Sequence, residues 1–279
     1  MAATPPPLVT REALRSFTQR LVEHFAPQNV ILFGSQARGE ARWDSDADLL
    51  VVMPFEGKLR ETVKALLAAG AADFPLDLHL RRPEDIAPRY GWGDPYLREA
   101  LDHGELLHGE LERITLERPG AAIPRRNPVV DEWIARAERH WSMATLLPDL
   151  PRGYLSGLFL VQRCLETYLR AVLIAQGIPS RKCRDLLELS NRMAGSIPGW
   201  HPDPATLNTL TQAALAHLDP GEGDPEPTQD TSWALAEAGP LRDCLRCWFD
   251  SLERAKPQGA GRPAYVGCET VIQREAPHG

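Results

Sequence analysis

Three aspartates and one glycine–serine turn are the residues of this 279-residue sequence whose types and spacing suit chemistry. Asp46 and Asp48 stand two positions apart and run straight into Leu49-Leu50-Val51-Val52. In an extended chain, side chains at i and i+2 share a face. The two carboxylates therefore project together, while Ala47 and Leu49 point the other way. Two carboxylates held that close repel each other unless a cation lies between them. A divalent metal with oxygen ligands meets that need, and Mg2+ is the usual ion where phosphates complete its shell. Upstream, the apolar run Val30-Ile31-Leu32-Phe33 ends at Gly34-Ser35, a bend that offers N–H groups and a hydroxyl to a phosphate. Downstream, Phe74 to Leu80 supplies a further carboxylate. There Leu76, Leu78 and Leu80 share one face of a strand, and Asp77 and His79 share the other.

Gly34-Ser35-x-Ala37-Arg38-Gly39, followed by Ser45-Asp46-x-Asp48-Leu49, resembles the signature of the DNA polymerase β-like nucleotidyltransferases, most closely their minimal branch. The resemblance implies a third carboxylate on a later strand, and Asp77 fills that place. Asp46 and Asp48 would then bind two Mg2+ (or Mn2+) ions, one of them shared with an NTP, expected to be ATP. Asp77 would complete the second metal site and help deprotonate an acceptor hydroxyl. In-line displacement would leave an NMP-modified acceptor and pyrophosphate. Gly34 and Ser35 would hold the β- and γ-phosphates, and Arg38 would neutralise phosphate charge through its fork of donors.

The elements that must position these groups follow from the pattern around them. Thr10 caps a helix to about His24, with Leu14, Phe17, Leu21 and Val22 inward. A strand, a glycine turn, a loop and the Asp46–Asp48 strand come next. Residues 58–70 read as a helix ended by Gly70. Pro83 opens a short helix after the Asp77 strand, and Tyr96 to about Leu106 reads as another. Strands alternating with helices predict an α+β domain over 1–117, a mixed sheet with flanking helices. Arg118 to Pro128 reads as a Pro/Arg-rich linker, its Arg125-Arg126 pair solvated.

From Val129 the strand patterns stop. Helical periodicity over 129–147, 154–176, 183–194, 204–218 and 231–254 predicts an all-α bundle. An acidic Pro/Gly loop, Asp219 to Asp230, precedes the last helix. Val161-Gln162-Arg163-Cys164-Leu165-Glu166-x-Tyr168-Leu169-Arg170-Ala171, with Asp185-Leu186-Leu187, is similar to HEPN domains, over residues 129–255. Many members of that family are ribonucleases that use an arginine and a histidine with four to six residues between them. No arginine stands at that distance before His140, His201 or His217, so ribonuclease activity is not expected here. Arg98-x4-His103 has the spacing but lies in the other domain. Cys244-x-x-Cys247 would share a helix face and reads as core thiols rather than a metal site. The tail, 256–279, has little periodicity, and Val266 to Ile272 would either add a strand or pack on the body.

Net charge is −7, so no overall basic field collects nucleic acid. No apolar run is long enough for a membrane span. Met1–Leu8 lacks the marks of a secretory signal, and the five scattered cysteines suit reduced thiols, so a cytoplasmic protein is expected. The acceptor stays open among a protein hydroxyl or an RNA end, within a toxin–antitoxin pair, and a small molecule. An aminoglycoside would suit an acidic chain. A nucleotide-binding module without catalysis is a further reading, and a homodimer through the helical domain is the expected assembly.

Overall fold

The apolar runs of the first 110 residues build a mixed sheet in the computed structural model, which describes residues 9–43, 45–110, 125–147, 154–179, 183–218, 229–254 and 271–273. Two compact units divide the chain: Met1–Ala121 with Val266–Gly279, and Ala122–Tyr265.

In the first unit, β1 (Asn29–Phe33) pairs antiparallel with β2 (Ala47–Val52). β2 runs parallel to β3 (Leu76–Arg81). β4 (Glu105–Gly109) lies antiparallel on the other edge of β1. A short β5 (Val271–Gln273) from the tail extends the sheet antiparallel to β3, giving the order β4-β1-β2-β3-β5. Both faces of β1 and β2 are buried, so these strands read as unbroken apolar runs rather than alternations. One face (Val30, Leu32, Leu49, Val51, Leu76, Leu78, Leu80) packs on Leu14, Phe17 and Leu21 of α1 (Arg11–Phe25) and on Val63 and Leu66 of α3 (Leu59–Gly70). The opposite face (Ile31, Phe33, Leu50, Val52) meets Ile86 of α4 (Pro83–Gly91) and Leu97 and Ala100 of α5 (Pro95–His103). Asp48, Asp77 and His79 belong to this second face by strand alternation.

Thr10 does cap α1, its hydroxyl accepting from Ala13 N–H at 3.1 Å. Pro83 stands at the first turn of α4 as expected. Three local expectations need correction. The helix from Tyr96 ends at His103, and Glu105–Gly109 is a strand rather than a helical end. Gly104 causes this: a Cβ there would stand 2.2 Å from Ala100 O and 2.6 Å from Ile31 Cγ2, so the chain turns tightly over α5 and enters the ladder beside β1. The loop after Gly34 begins as one helical turn, α2 (Gly34–Arg38), closed by Gly39 at φ 72°. α3 ends at Gly70 as expected, but Gly70 does not supply the cap. Ala71 takes the left-handed cap at φ 42°, whereas Gly70 is needed because a Cβ there would lie 2.2 Å from Phe17 Cε2.

The elements of the second unit, among its described residues, are helices: α6 (Pro128–Ala144), α7 (Tyr154–Ala175), α8 (Leu186–Arg192), α9 (Pro204–Leu218) and α10 (Thr231–Arg254). α7 is apolar nearly all round, with Leu158, Val161, Leu165, Tyr168, Leu169 and Val172 fully buried, and it forms the axis of the bundle. Asn127 and Asp185 cap α6 and α8. Arg126 is not a solvated linker residue. It pairs with Asp131 and stands 5.7 Å over the Phe249 ring. The thiols of α10 are not core either: Cys247 is exposed and Cys244 half-buried, whereas Cys164 is the buried one. Residues 118–124, the acidic loop from 219 to 228, and Cys268 lie outside the described residues.

The two neighbours at the end of α3 should respond in opposite directions. Gly70→Ala, which pushes on a fully buried Phe17, should lower stability by about 1–3 kcal/mol. Ala71→Gly, which relieves a left-handed alanine, should raise it by about 0.5–1 kcal/mol. Chemical denaturation of both variants beside the unaltered chain measures the pair.

Candidate active site

The strand registers bring the acidic side chains together. Phe33 of β1 stands opposite Asp48 of β2, and Asp48 stands beside Asp77 of β3 in the parallel ladder. A hydrogen bond from Ala47 N–H to Pro75 O, at 2.9 Å, sets that parallel start. Asp48, Asp77 and His79 each place one ligand atom within 4.8 Å of the others. Asp48 is fully buried, the His79 side chain is 1% exposed and that of Asp77 17%.

Gly34 closes the other side of Asp48. Its φ is +73°, and a Cβ built there would stand 2.0 Å from Asp48 Oδ2. The glycine thus brings the backbone bend against the carboxylate, which no larger residue permits. Ser35 follows half-buried, its carbonyl accepting from Gly39 and Glu40 N–H. The loop leading to β2 is tied down by its own polar groups. Ser45 Oγ accepts from Arg42 N–H at 2.8 Å, and Gln36 Nε2 donates to Ser45 O at 3.2 Å.

The sequence-derived candidates are placed as follows. Asp48 and Asp77 meet. Asp46 immediately precedes β2, half-buried, and does not join the group of ligand atoms within 4.8 Å. Gly34 and Ser35 open α2 beside Asp48. Arg38 lies at the end of the same turn, bound to Glu40 at 2.8 Å and to Glu99 of α5, and these two carboxylates raise its pKa against the opposing effect of partial burial.

His79 joins the site although sequence reading placed it only on the face of Asp77. Its ring lies between Tyr96 (centroids 4.4 Å apart) and Phe33 (5.3 Å). Two positions on, Arg81 continues the same polar face of β3 and reaches Asp94 at 3.5 Å. Asp94 is a fully buried hub. It binds Arg89 at 2.7 Å and caps α5 through the N–H groups of Tyr96 and Leu97. Burial alone would raise the Asp94 carboxyl. The charges of Arg89 and Arg81, with the Arg89 and Leu97 hydrogen bonds, override it and hold the group down at about 2. The hub ties α5 to β3 and so fixes Tyr96 against His79.

One buried and one half-buried carboxylate beside a buried imidazole, with no cationic side chain in the group, form a donor set that fits a divalent cation. Among the described residues no other His/Cys/Asp/Glu group has that geometry.

Residues 13–107 match the nucleotidyltransferase domain family, and residues 130–215 match the HEPN domain family. No curated protein matches the chain in sequence. Among solved structures it is similar to spectinomycin adenyltransferase AAD(9) from Enterococcus faecialis, determined with ATP and spectinomycin. That similarity covers 85% of this chain and 100% of the other at 13% identity, with a TM-score of 0.44.

The hub predicts a pH dependence of stability. The folded Asp94 carboxyl titrates at about 2 against an ordinary 3.8. Its stabilisation, roughly 2 kcal/mol, is therefore complete above about pH 4 and lost as pH falls through about 2. Asp94→Asn should remove this acid-side loss and cost about 3–5 kcal/mol at neutral pH, because Arg81 and Arg89 stay buried without it. Denaturation series across pH measure both. Gly34→Ala should leave the bundle intact yet weaken divalent-ion binding about tenfold or more by displacing Asp48, as isothermal titration would show.

Proposed function

We propose that the chain, whose residues 13–107 match the nucleotidyltransferase domain family and 130–215 the HEPN domain family, transfers an NMP, AMP from ATP in the first instance, to an acceptor hydroxyl. The observation that carries this reading is the parallel register that sets Asp48 directly beside Asp77 against the Gly34–Ser35 bend. Asp48 and Asp77 would hold divalent metal, Mg2+ or Mn2+, with Asp46 adding a third carboxylate from the residue before β2. Bound cations would supply neutralisation of charge on the transferring phosphoryl group.

The remaining roles belong to the chain itself. Gly34 and Ser35 N–H groups and the Ser35 hydroxyl hold the β- and γ-phosphates at the bend, where a glycine lets the backbone come close. Arg38, oriented by Glu40 and Glu99, presents its fork to phosphate oxygens. Asp77, the more exposed carboxylate of the pair, takes the proton of the acceptor hydroxyl. The fully buried Asp48 serves as a ligand.

The acceptor belongs to one of three classes: a protein hydroxyl, an RNA end or a small molecule. The net charge of −7 favours a cationic small molecule of the aminoglycoside type over a polyanion. The helical unit has no role as a ribonuclease in this reading. His140 is half-buried, and burial together with Arg163, Arg136 and Arg139 drives its pKa down to about 4, so near neutral pH it is not an imidazolium acid.

Pyrophosphate release from each of the four NTPs, followed by label transfer to protein, RNA and aminoglycosides, tests the proposal. Asp48→Asn and Asp77→Asn should each lower transfer on the order of a hundredfold or more while the melting profile persists. Undiminished transfer in either variant refutes the assignment.

A further inference from the structure

We infer that His79 is a cation ligand and that it turns the site from a Mg2+ site into one selective for a divalent first-row transition ion. The inference rests on the reading that Asp48 and Asp77 hold a cation, and it deepens that reading.

The Nε2 atom of His79 is buried and makes no hydrogen bond. It stands 3.3 Å from Asp77 Oδ2 without the geometry of one. A buried polar atom left in that state is destabilising, so structures rarely keep one without a use. The ring has no freedom to turn to solvent. Tyr96 covers it at 4.4 Å and 31° between planes, and Phe33 at 5.3 Å and 59°. Tyr96 is itself held, since Asp94 accepts its N–H and anchors the start of α5 to Arg81 and Arg89. The side chain is therefore fixed with one nitrogen toward the carboxylates.

Ligand atoms bonded to one ion at about 2.1–2.2 Å stand roughly 3 Å apart when adjacent and roughly 4.3 Å apart when opposite. Asp48, Asp77 and His79 offer atoms within 4.8 Å of one another, close to that span. Two carboxylate oxygens and one imidazole nitrogen make a mixed donor set. Mg2+ prefers oxygen alone and releases water reluctantly. First-row transition ions accept imidazole readily, with affinities above that of Mg2+ for such sets. The strand register makes the third donor unavoidable, because a residue two positions after Asp77 must share its face.

Mn2+ serves as the probe, since it is paramagnetic and sits lowest in the transition series, where the selectivity is hardest to achieve. Mn2+ bound to the unaltered full chain should show 14N modulation in its electron spin-echo envelope, the signature of a directly bonded imidazole. Mg2+ should compete at least about tenfold more weakly. His79→Gln should abolish the nitrogen modulation and weaken Mn2+ about ten- to a hundredfold, while changing Mg2+ affinity less than about threefold. Asp48→Asn should weaken both ions. Bound Mn2+ without nitrogen modulation overturns the inference and leaves the carboxylate reading standing. Equal loss of Mn2+ and Mg2+ in His79→Gln overturns it too, as a merely structural role would produce. Failure of the unaltered chain to bind either ion defeats both readings together. The spin-echo measurement needs no variant, so it decides the question even where His79→Gln does not fold.

Discussion

One backbone constraint underlies the N-terminal unit: β2 pairs antiparallel with β1 on one side and parallel with β3 on the other, in registers that leave no choice about Asp48. It stands opposite Phe33 and beside Asp77. Slipping either ladder by one residue would send Asp48 to the face packed on α1 and α3 and bring Ala47 or Leu49 to the polar face. The apolar demand of the core therefore fixes the carboxylates as firmly as any interaction between them. Leu76, Leu78 and Leu80 have to enter the core, so Asp77, His79 and Arg81 have to leave it.

Such a polar face on a buried strand is costly unless each group is compensated, and the compensation is graded along β3. At one end Arg81 meets Asp94, which also holds Arg89 and two N–H groups of α5. That end is closed and held by its own ion pairs and hydrogen bonds. In the middle His79 is clamped between aromatic rings. At the other end two carboxylates come together with no cationic side chain in their group. Asp94 thus meets its cations within the chain at the α5 end, and the donor set that fits an external cation lies at the Gly34 end. The arrangement is the physical sense of a preorganised site: its ligands are held by a neighbouring network that needs nothing from the ligand.

The sequence made much of this legible, and the misses have definite causes. The i, i+2 pattern of Asp77 and His79 against three leucines located the polar face of β3. Thr10, Pro83 and the glycine after Phe33 marked element ends, because capping and ring geometry act locally. What local pattern does not encode is pairing. Nothing in the sequence near Asp77 says that its strand lies parallel to β2 with Asp48 as its neighbour, and Tyr96, which covers His79, lies on a helix 17 residues later. Glu105–Gly109 was read as a helical end because Leu106-Leu107 fits either period. Gly104 decides, through close contact with Ala100 and Ile31, which is a tertiary fact. Gly70 misled for the same reason, as its lack of a side chain makes room for Phe17.

The helical unit shows the opposite use of charge. Glu138 takes Arg242 and the Tyr168 hydroxyl, and Glu166 takes Arg163 at 2.7 Å and Arg170 at 3.0 Å. Arg170 also donates to Cys183 O, and Gln162 to Arg184 O, so the segment before α8 is bound to α7 through the same cluster. Each carboxylate here has its cation within the chain. A buried pair of this kind, once matched, contributes order rather than reactivity, because neither partner can change its charge without stranding the other. The residues of α7 that resemble a HEPN signature thus serve to lock helices together. The donor set that fits an external cation lies instead where Asp48 and Asp77 share the second face of the sheet.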